Sequence, residues 1–420
     1  MRQPRVSIPA RRLAKWVGPI SGAVLVAHTL LVPTSTTSST QAKAASSALP
    51  SASAAVPAPQ PRLPLPTTRQ TIWIPSSIDA TGKTDVTTQL NHFFWKVPAY
   101  TTVMFPAHAI YRSEGTVLLF DKVGLLVDGN GAVLKATTDG GKAPPTPGRA
   151  FKWPRSRASI LVENSTNIHL EDLLISGPND PGGYGSYNPA LEAQAGVDIE
   201  GSTDVVVANS TIRHVFGDYV YISGTSQHVQ VLGNTLTANG RQGVSVTNAR
   251  YVLIENNTMY GVGRSAIDLE PDTRAGVADD VDVYDNTIVG VVLDFVAAEG
   301  AGTHVDYVNV VGNKLIDTAL TIKVRAADGS ARHDWAVIDN STDVVEGSPI
   351  APIEFYYVDN VRVEGNYEAM ASDQPSVAVY LVHPCTWELA DNHFPGAEAT
   401  EPQGIASQCA WRSDAIQPSG

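Results

Sequence analysis

Cysteine is almost missing. Only Cys385 and Cys409 occur in 420 residues, and both lie near the C-terminus. Two cysteines are too few for a disulfide scaffold. Without further ligands at useful spacing they do not make a metal site either. In an exported chain they permit one disulfide closing the tail, and two free buried thiols are the other reading. Charge is scarce as well: 17 % of the residues are Asp, Glu, Lys or Arg, and 29 basic side chains stand against 42 acidic ones. That balance repels polyanions, so nucleic acid is excluded as an expected partner. Helical periodicity is nearly absent. What is abundant is 34 Gly and 28 Pro, many turns in a profile that suits an all-β extracellular protein.

One long apolar run exists, from Trp16 to Val32, behind a basic head of Arg2, Arg5, Arg11, Arg12 and Lys15. Ala42-Lys43-Ala44 then offers a small-x-small cleavage site. Residues 1–44 read as a signal peptide, with an uncleaved signal anchor as the rival. Pro19 and His28 weaken the run as a permanent span. Both readings put the body outside the cytoplasm, secreted or at the cell surface, and membrane contact is expected only through this segment if it stays uncleaved. Its removal leaves 23 basic against 42 acidic side chains, a formal −19. Residues 45–68 are rich in Ala, Ser and Pro with no periodic apolar face, which reads as a disordered linker.

Beyond the linker the chain repeats a phrase, V-x-V-x-x-N-x-hydrophobic. Copies include VQVLGNTL (229–236), VDVYDNTI (281–288), VNVVGNKL (308–315) and VRVEGNYE (361–368). The matched positions run Asn130, Leu173, Ser210, Asn234, Asn257, Asn286, Asn313, Asn340, Asn366 and Asn392. A period in the twenties is too long for a hairpin and too short for a βαβ unit. A single repeat cannot bury its own apolar face, so successive coils must stack about 4.8 Å apart. Asn suits the turn because it tolerates left-handed backbone and its amide can bond to the next coil. The asparagines are therefore structural.

On these repeats the chain resembles the right-handed parallel β-helix superfamily of pectate lyases, polygalacturonases and related bacterial proteins, over about residues 70–395. The resemblance implies a single-stranded all-β right-handed parallel β-helix of about ten coils. It also implies a short capping helix near 86–95. The expected layout is a solenoid at 69–396 and a tail at 397–420, with a monomer as the expected state.

A second strand precedes each Asn phrase, and alternation fixes its faces. The inward pairs would be Val197/Ile199, Val220/Ile222, Val244/Val246, Ile267/Leu269, Leu293/Phe295, Ile322/Val324 and Ile353/Phe355. The outward columns then read Asp198, Tyr221, Ser245, Asp268, Asp294, Lys323, Glu354 and Glu200, Ser223, Thr247, Glu270, Val296, Arg325, Tyr356. Asp218, Gln242 and Ser265 stand at the bend upstream, with Arg241 and Arg264 before the last two. Insertions at 136–157 and 177–194 exceed ordinary turn length. Their Phe151, Trp153, Tyr184 and Tyr187 are read either as platforms for sugar rings or as pins for the loops, and Glu192 would hang over the groove.

The resemblance also implies where polygalacturonase chemistry would sit, and those residues are missing. Ala195 stands where the first Asp belongs. Gly217 and Asp218 stand where an Asp pair belongs, Gln242 where a His belongs, and Ala266 and Asp268 where Arg and Lys belong. A different carboxylate set remains. Asp268, Glu270, Asp218 and Asp294 are the expected catalytic acids of a glycoside hydrolase acting on a polysaccharide or oligosaccharide. The expected substrate contacts are Arg241, Arg264, Gln242, Asp198, Tyr219, Tyr221, Glu192, Trp153 and Tyr184. Hydrolysis needs one protonated and one ionised acid, and close acids push one pKa up. A solvated acidic ladder is the alternative for any single acid. Other functions to be tested are a polysaccharide lyase, the one reading in which Ca²⁺ enters, and a non-catalytic carbohydrate-binding surface protein. No other cofactor or metal is expected.

Overall fold

The computed structural model describes residues 55–140, 157–394 and 398–399, apart from breaks at 181, 272, 291, 301, 303, 326–331, 344–352, 369–376 and 383–385. The targeting segment, Trp153, Phe151, Cys385 and Cys409 lie outside the described residues. Short strands assemble into three all-parallel sheets of twelve, eleven and eleven strands, each coil adding one strand to each sheet. The first sheet runs from Gln70–Trp73 to Trp387–Ala390, the second from Thr81–Asp85 to Tyr367–Glu368, and the third from Val117–Phe120 to Glu398–Ala399. The chain is thus the β-helix expected from its repeats. Its last strand draws Glu398–Ala399 out of the expected tail and pairs it with Val377 and Val379. Helix α1 (Thr87–Lys96) buries Leu90 and Phe94 against the first coils. It covers a sheet edge that would otherwise offer unpaired backbone groups.

Inward alternation carries the core. Val197, Ile199, Val220, Ile222, Val244, Val246, Ile267 and Leu269 are fully buried in successive registers of the third sheet. The expected register slips at one coil. Asp268 pairs with Ala297, not with Asp294, and Val296 and Ala298 take the inward places. Leu293 is 42 % exposed. The rule is visible afterwards: Val220, Val244, Ile267 and Val296 each follow ten residues after Ser210, Asn234, Asn257 and Asn286.

Those asparagines form a continuous ladder. Each amide nitrogen from Asn234 to Asn366 donates to the side-chain oxygen of the next, at 2.9–3.0 Å. Each also donates to a carbonyl of the coil before, as Asn286 does to Ile254 at 2.9 Å. The left-handed residue is the one ahead of the ladder position: Gly233, Asn256, Asp285, Gly312, Asp339, Gly365 and Asp391. The expectation that the ladder Asn itself supplies positive φ holds at Asn130 and is corrected for the rest. A side chain reaching both neighbouring coils needs ordinary backbone, so the turn uses the preceding residue.

Residues 55–68 of the expected linker are ordered, and 45–54 lie outside the described residues. The ordered stretch lies lengthwise over the outer face of the first sheet. Arg362 donates to the Ala55 carbonyl (3.0 Å), Tyr284 to Pro57 (2.8 Å), and the Gln60 amide to Asp282 (2.7 Å). Leu63 donates to Gln230 (2.9 Å), whose own amide returns to Pro61. From Gln60 to Leu63 the strap crosses two coils, about 9.6 Å, in three residues, close to the ~3.1 Å rise of a polyproline strand. Sparse hydrophobicity gave the appearance of disorder. Side-chain amides and carboxylates of the sheet supply the bonds that the Pro-rich backbone cannot make with itself.

The inner column of the second sheet ends in an acid. The inward column of the second sheet runs Leu236, Met259, Ile288, Leu315, Thr342 and Glu368. Burial pushes the Glu368 carboxyl up to about 7, opposed by the Leu320 backbone amide. The folded state therefore holds a proton that the unfolded chain, at 4.5, releases. Stability is full below pH 4.5 and falls as pH rises to about 7, by roughly 3 kcal/mol in all. Glu368→Gln is expected to flatten that fall and to unfold at higher denaturant than wild type above pH 7. Parallel denaturation series across this pH range check it, and a flat wild-type profile refutes it.

Candidate functional site

The site is built where the third sheet begins, at the bend that leads into it. Counting from the ladder, Asp218, Gln242, Ser265 and Asp294 occupy the same bend position on four consecutive coils. Three residues further on, Tyr221, Ser245, Asp268 and Ala297 share one outward column. The constant offset brings Asp218, Gln242 and Asp268 together. Gln242 Nε2 donates to Asp268 Oδ2 (3.1 Å), and the Gln242 backbone N–H donates to Asp218 Oδ1 (2.9 Å). Gln242 Oε1 accepts the Ser265 amide at 2.7 Å, which fixes the orientation of the side chain.

Arg241 is the hub. Its Nη1 lies 2.7 Å from Asp218 Oδ2, its Nε 3.9 Å from Glu192 and its Nη2 4.0 Å from Glu270. Glu192 reaches the cluster because the insertion at 177–194 folds back onto the bend. Gly183 N–H donates to the Asn239 carbonyl (2.7 Å) and Asn179 Nδ2 to that of Val215 (3.1 Å). Tyr187 donates its hydroxyl to Glu192 and lies under the Arg264 guanidinium, 4.9 Å from the ring centroid. Tyr187 is thus a pin. Tyr184, 56 % exposed on the same loop, is free to act as a platform. The roots of the two insertions are tied through Arg157, which donates to Gln194 Oε1 (2.9 Å) and to the Thr138 carbonyl (3.0 Å).

The electrostatics are uneven. Asp268 is 3 % exposed, and burial first, then the Glu270 charge and a hydrogen bond between the two carboxyl groups, hold it well above the usual carboxylate range. Arg241 opposes this. Burial also raises Asp218, while Arg241, the Gln242 amide and the Ser245 hydroxyl pull it down. Glu270 remains 44 % exposed at its side chain. A buried Asp268 whose carboxyl resists ionisation therefore stands behind an accessible Glu270.

Other expected site residues are placed differently. Tyr219 is 0 % exposed: its ring is in the core and its hydroxyl donates to the Tyr260 carbonyl (3.0 Å). It cannot touch a substrate, because the bend turns it inward ahead of Val220. Asp294 does not adjoin Asp268. The register slip leaves it at the bend, 2.8 Å from Lys323 Nζ and 3.5 Å from Ser265 Oγ. Tyr221 accepts from Thr247 Oγ1 (3.1 Å) on the outward face. Asp198 stands two coils below Ser245, next to Tyr221. The role of Arg241 as hub has a sequence signal in hindsight: a cation next to the bend position, one coil after the acid Asp218 at that same bend position.

Three parallel sheets that each run coil by coil along the chain define a parallel β-helix. In agreement, the family model described as right handed beta helix region matches residues 158–331. Among solved structures the chain is similar to the family 28 exopolygalacturonase of Yersinia enterocolitica, at 14 % identity over 80 % of this chain and 77 % of that one, with a TM-score of 0.57. It is similar to the endo-xylogalacturonan hydrolase of Aspergillus tubingensis at 12 % identity over 80 % and 99 %, TM-score 0.55. A surface adhesin of Streptococcus pneumoniae matches at 11 % identity over 74 % and 85 %, TM-score 0.51. At such identities the likeness is one of fold. No curated protein sequence matches the chain.

Proposed function

We propose that this protein is an exported carbohydrate-active β-helix, a glycoside hydrolase that cleaves a polysaccharide by carboxylate acid/base catalysis. The observation that carries the reading is the buried Asp268 in hydrogen-bonded contact with the exposed Glu270, beside Arg241. Asp268, held above the usual carboxylate range, keeps a proton beside Glu270, and Glu270 delivers it to the glycosidic oxygen. Glu192 is the second carboxylate. It and Glu270 both lie beside the Arg241 guanidinium, Glu192 at 3.9 Å from Nε and Glu270 at 4.0 Å from Nη2, and hydrolysis needs two such carboxyls about the scissile bond. Glu192 takes the proton of the attacking water, and Arg241 steadies both charges. Tyr184 offers a ring to a sugar face. Solved relatives in fold that are a hydrolase and an exopolygalacturonase support carbohydrate as the substrate class. No cofactor enters this mechanism.

Product analysis on a polysaccharide panel tests it. New reducing ends without ultraviolet absorbance are expected. Absorbance of an unsaturated uronate would make the protein a lyase, and retained binding without products would make it a surface binder, as the adhesin of the same fold is.

A further inference from the structure

We infer that the strap of residues 55–68 is an acid-released cover of the first sheet, with His169 as its trigger. The outward column beneath the strap runs Thr102, Leu126, His169, Val206 and Gln230 on five consecutive coils. Leu63 is bonded to Gln230 at one end of this run, and Thr68 Oγ1 lies 2.9 Å from Thr102 Oγ1 at the other. His169 is the middle position, two coils from each anchor, so residues 64–67 cross over it. Pro66 is buried there, and His169 is 4 % exposed between the side chains of Leu126 and Val206. Polar bonds hold the strap on both sides of this stretch. The stretch itself is an apolar contact with one imidazole in it.

His169 Nε2 is enclosed and has no hydrogen-bond partner among the described residues. A neutral imidazole can leave one nitrogen bare, whereas an imidazolium carries a donor on both and needs an acceptor or water for each. The charged groups around it are Glu171 and Asp172 at the end of its own strand, Asp128 on the strand before, Asp204 on the strand after, and Arg62 and Arg69 on and just after the strap. Arg62 is paired with Glu255 at 3.0 Å, and Arg69 covers the Tyr100 ring. Glu171 is itself raised by burial, then by Asp128 and Asp172, which makes it a poor counter-ion. Burial pushes the His169 imidazole down to about 4 from its ordinary 6.5. The sign is that of a base buried neutral. The closed strap is favoured in full above pH 6.5, and the preference is lost as pH falls toward 4, by on the order of 10²-fold. Lifting the strap lets water reach the imidazolium. Once lifted, residues 55–68 form a tether of about 40 Å, and Leu126, Val206 and Leu253 lie open.

Hydrogen exchange of the intact chain tests this at about pH 7, 5.5 and 4.5, with rates corrected for the intrinsic effect of pH. The reporter is the Leu63 amide, because its acceptor, the Gln230 side chain, does not titrate. Its opening is expected to grow at least tenfold from pH 7 to 4.5, while amides of the strand Ser226–Leu232 beneath it keep their protection. His169→Leu and His169→Phe keep the contact apolar and remove the titrating nitrogens. Both should hold Leu63 closed throughout the range. Carboxyls such as Asp282 and Glu171 titrate in wild type and variants alike, so the difference between them belongs to the imidazole. A Leu63 amide indifferent to pH overturns the inference. So does the same acid response in either variant, or an equal loss of protection in Ser226–Leu232, which would mean that acid opens the coils and not the strap.

Discussion

Glu270→Gln is expected to lower turnover by about 10²–10⁴-fold on whatever polysaccharide the protein cleaves, the range of a lost general acid. Asp268→Asn is expected to act differently. Asp268 does not face solvent, and its carboxyl is the one held above the usual range. The sign follows. In the wild type, burial and then the Glu270 charge raise Asp268, so activity needs its proton and falls as pH rises past that elevated point. In Asp268→Asn the carboxyl held above the usual range is gone, and the alkaline limb of kcat that it sets moves toward acid. A merely structural Asp268 would lower kcat without moving that limb. If both variants keep wild-type rate and profile, the assignment of the site is wrong.

Asn286→Ala is expected to be strongly destabilising, by roughly 3–9 kcal/mol. Asn286 is fully buried. Its amide donates to Ile254 O and Asn313 Oδ1, and its oxygen accepts from both the backbone and side-chain nitrogens of Asn257. Truncation orphans two donors on Asn257 and the Ile254 carbonyl, each costing about 1–3 kcal/mol when buried without water. Asp is no rescue, since it lacks the donor and brings a charge into the core. In a stacked fold the loss is felt first by the adjoining coils. Hydrogen exchange should therefore quicken from about residue 250 to 320 before the cap region responds. A change below about 1 kcal/mol in denaturant unfolding would mean that the ladder marks the turn without holding it.

The sheets were legible because alternation and recurrence are properties of neighbouring residues. Ile267 and Leu269 had to point inward, so Asp268 had to point outward, and the structure agrees. The misplacements share one cause. Tyr219 and Asp294 lie at the bend, where the two-residue period stops and the chain turns. Alternation extended through a bend gives the wrong side for Tyr219 and the wrong partner for Asp294. The strap was invisible for another reason. Gln60 finds its partner Asp282 at a separation of 222 residues, and a Pro-rich run carries no periodic mark of such a contact. Glu192 could be seen to approach the groove, but its place beside Arg241 depends on the fold of its loop.

The strap has a mechanical consequence. Ala55 is bonded at the strand Val358–Glu364, near the far end of the stack, whereas Gln70 opens the first coil beside the capping helix. Tension applied through the N-terminus would therefore enter at the pole opposite the cap. It would peel the strap one contact at a time, from Arg362 to Tyr284 to Gln230, before any coil felt load. The first sheet carries its own tear strip: a pull would be spent in small sequential steps while the cluster on the third sheet keeps its shape.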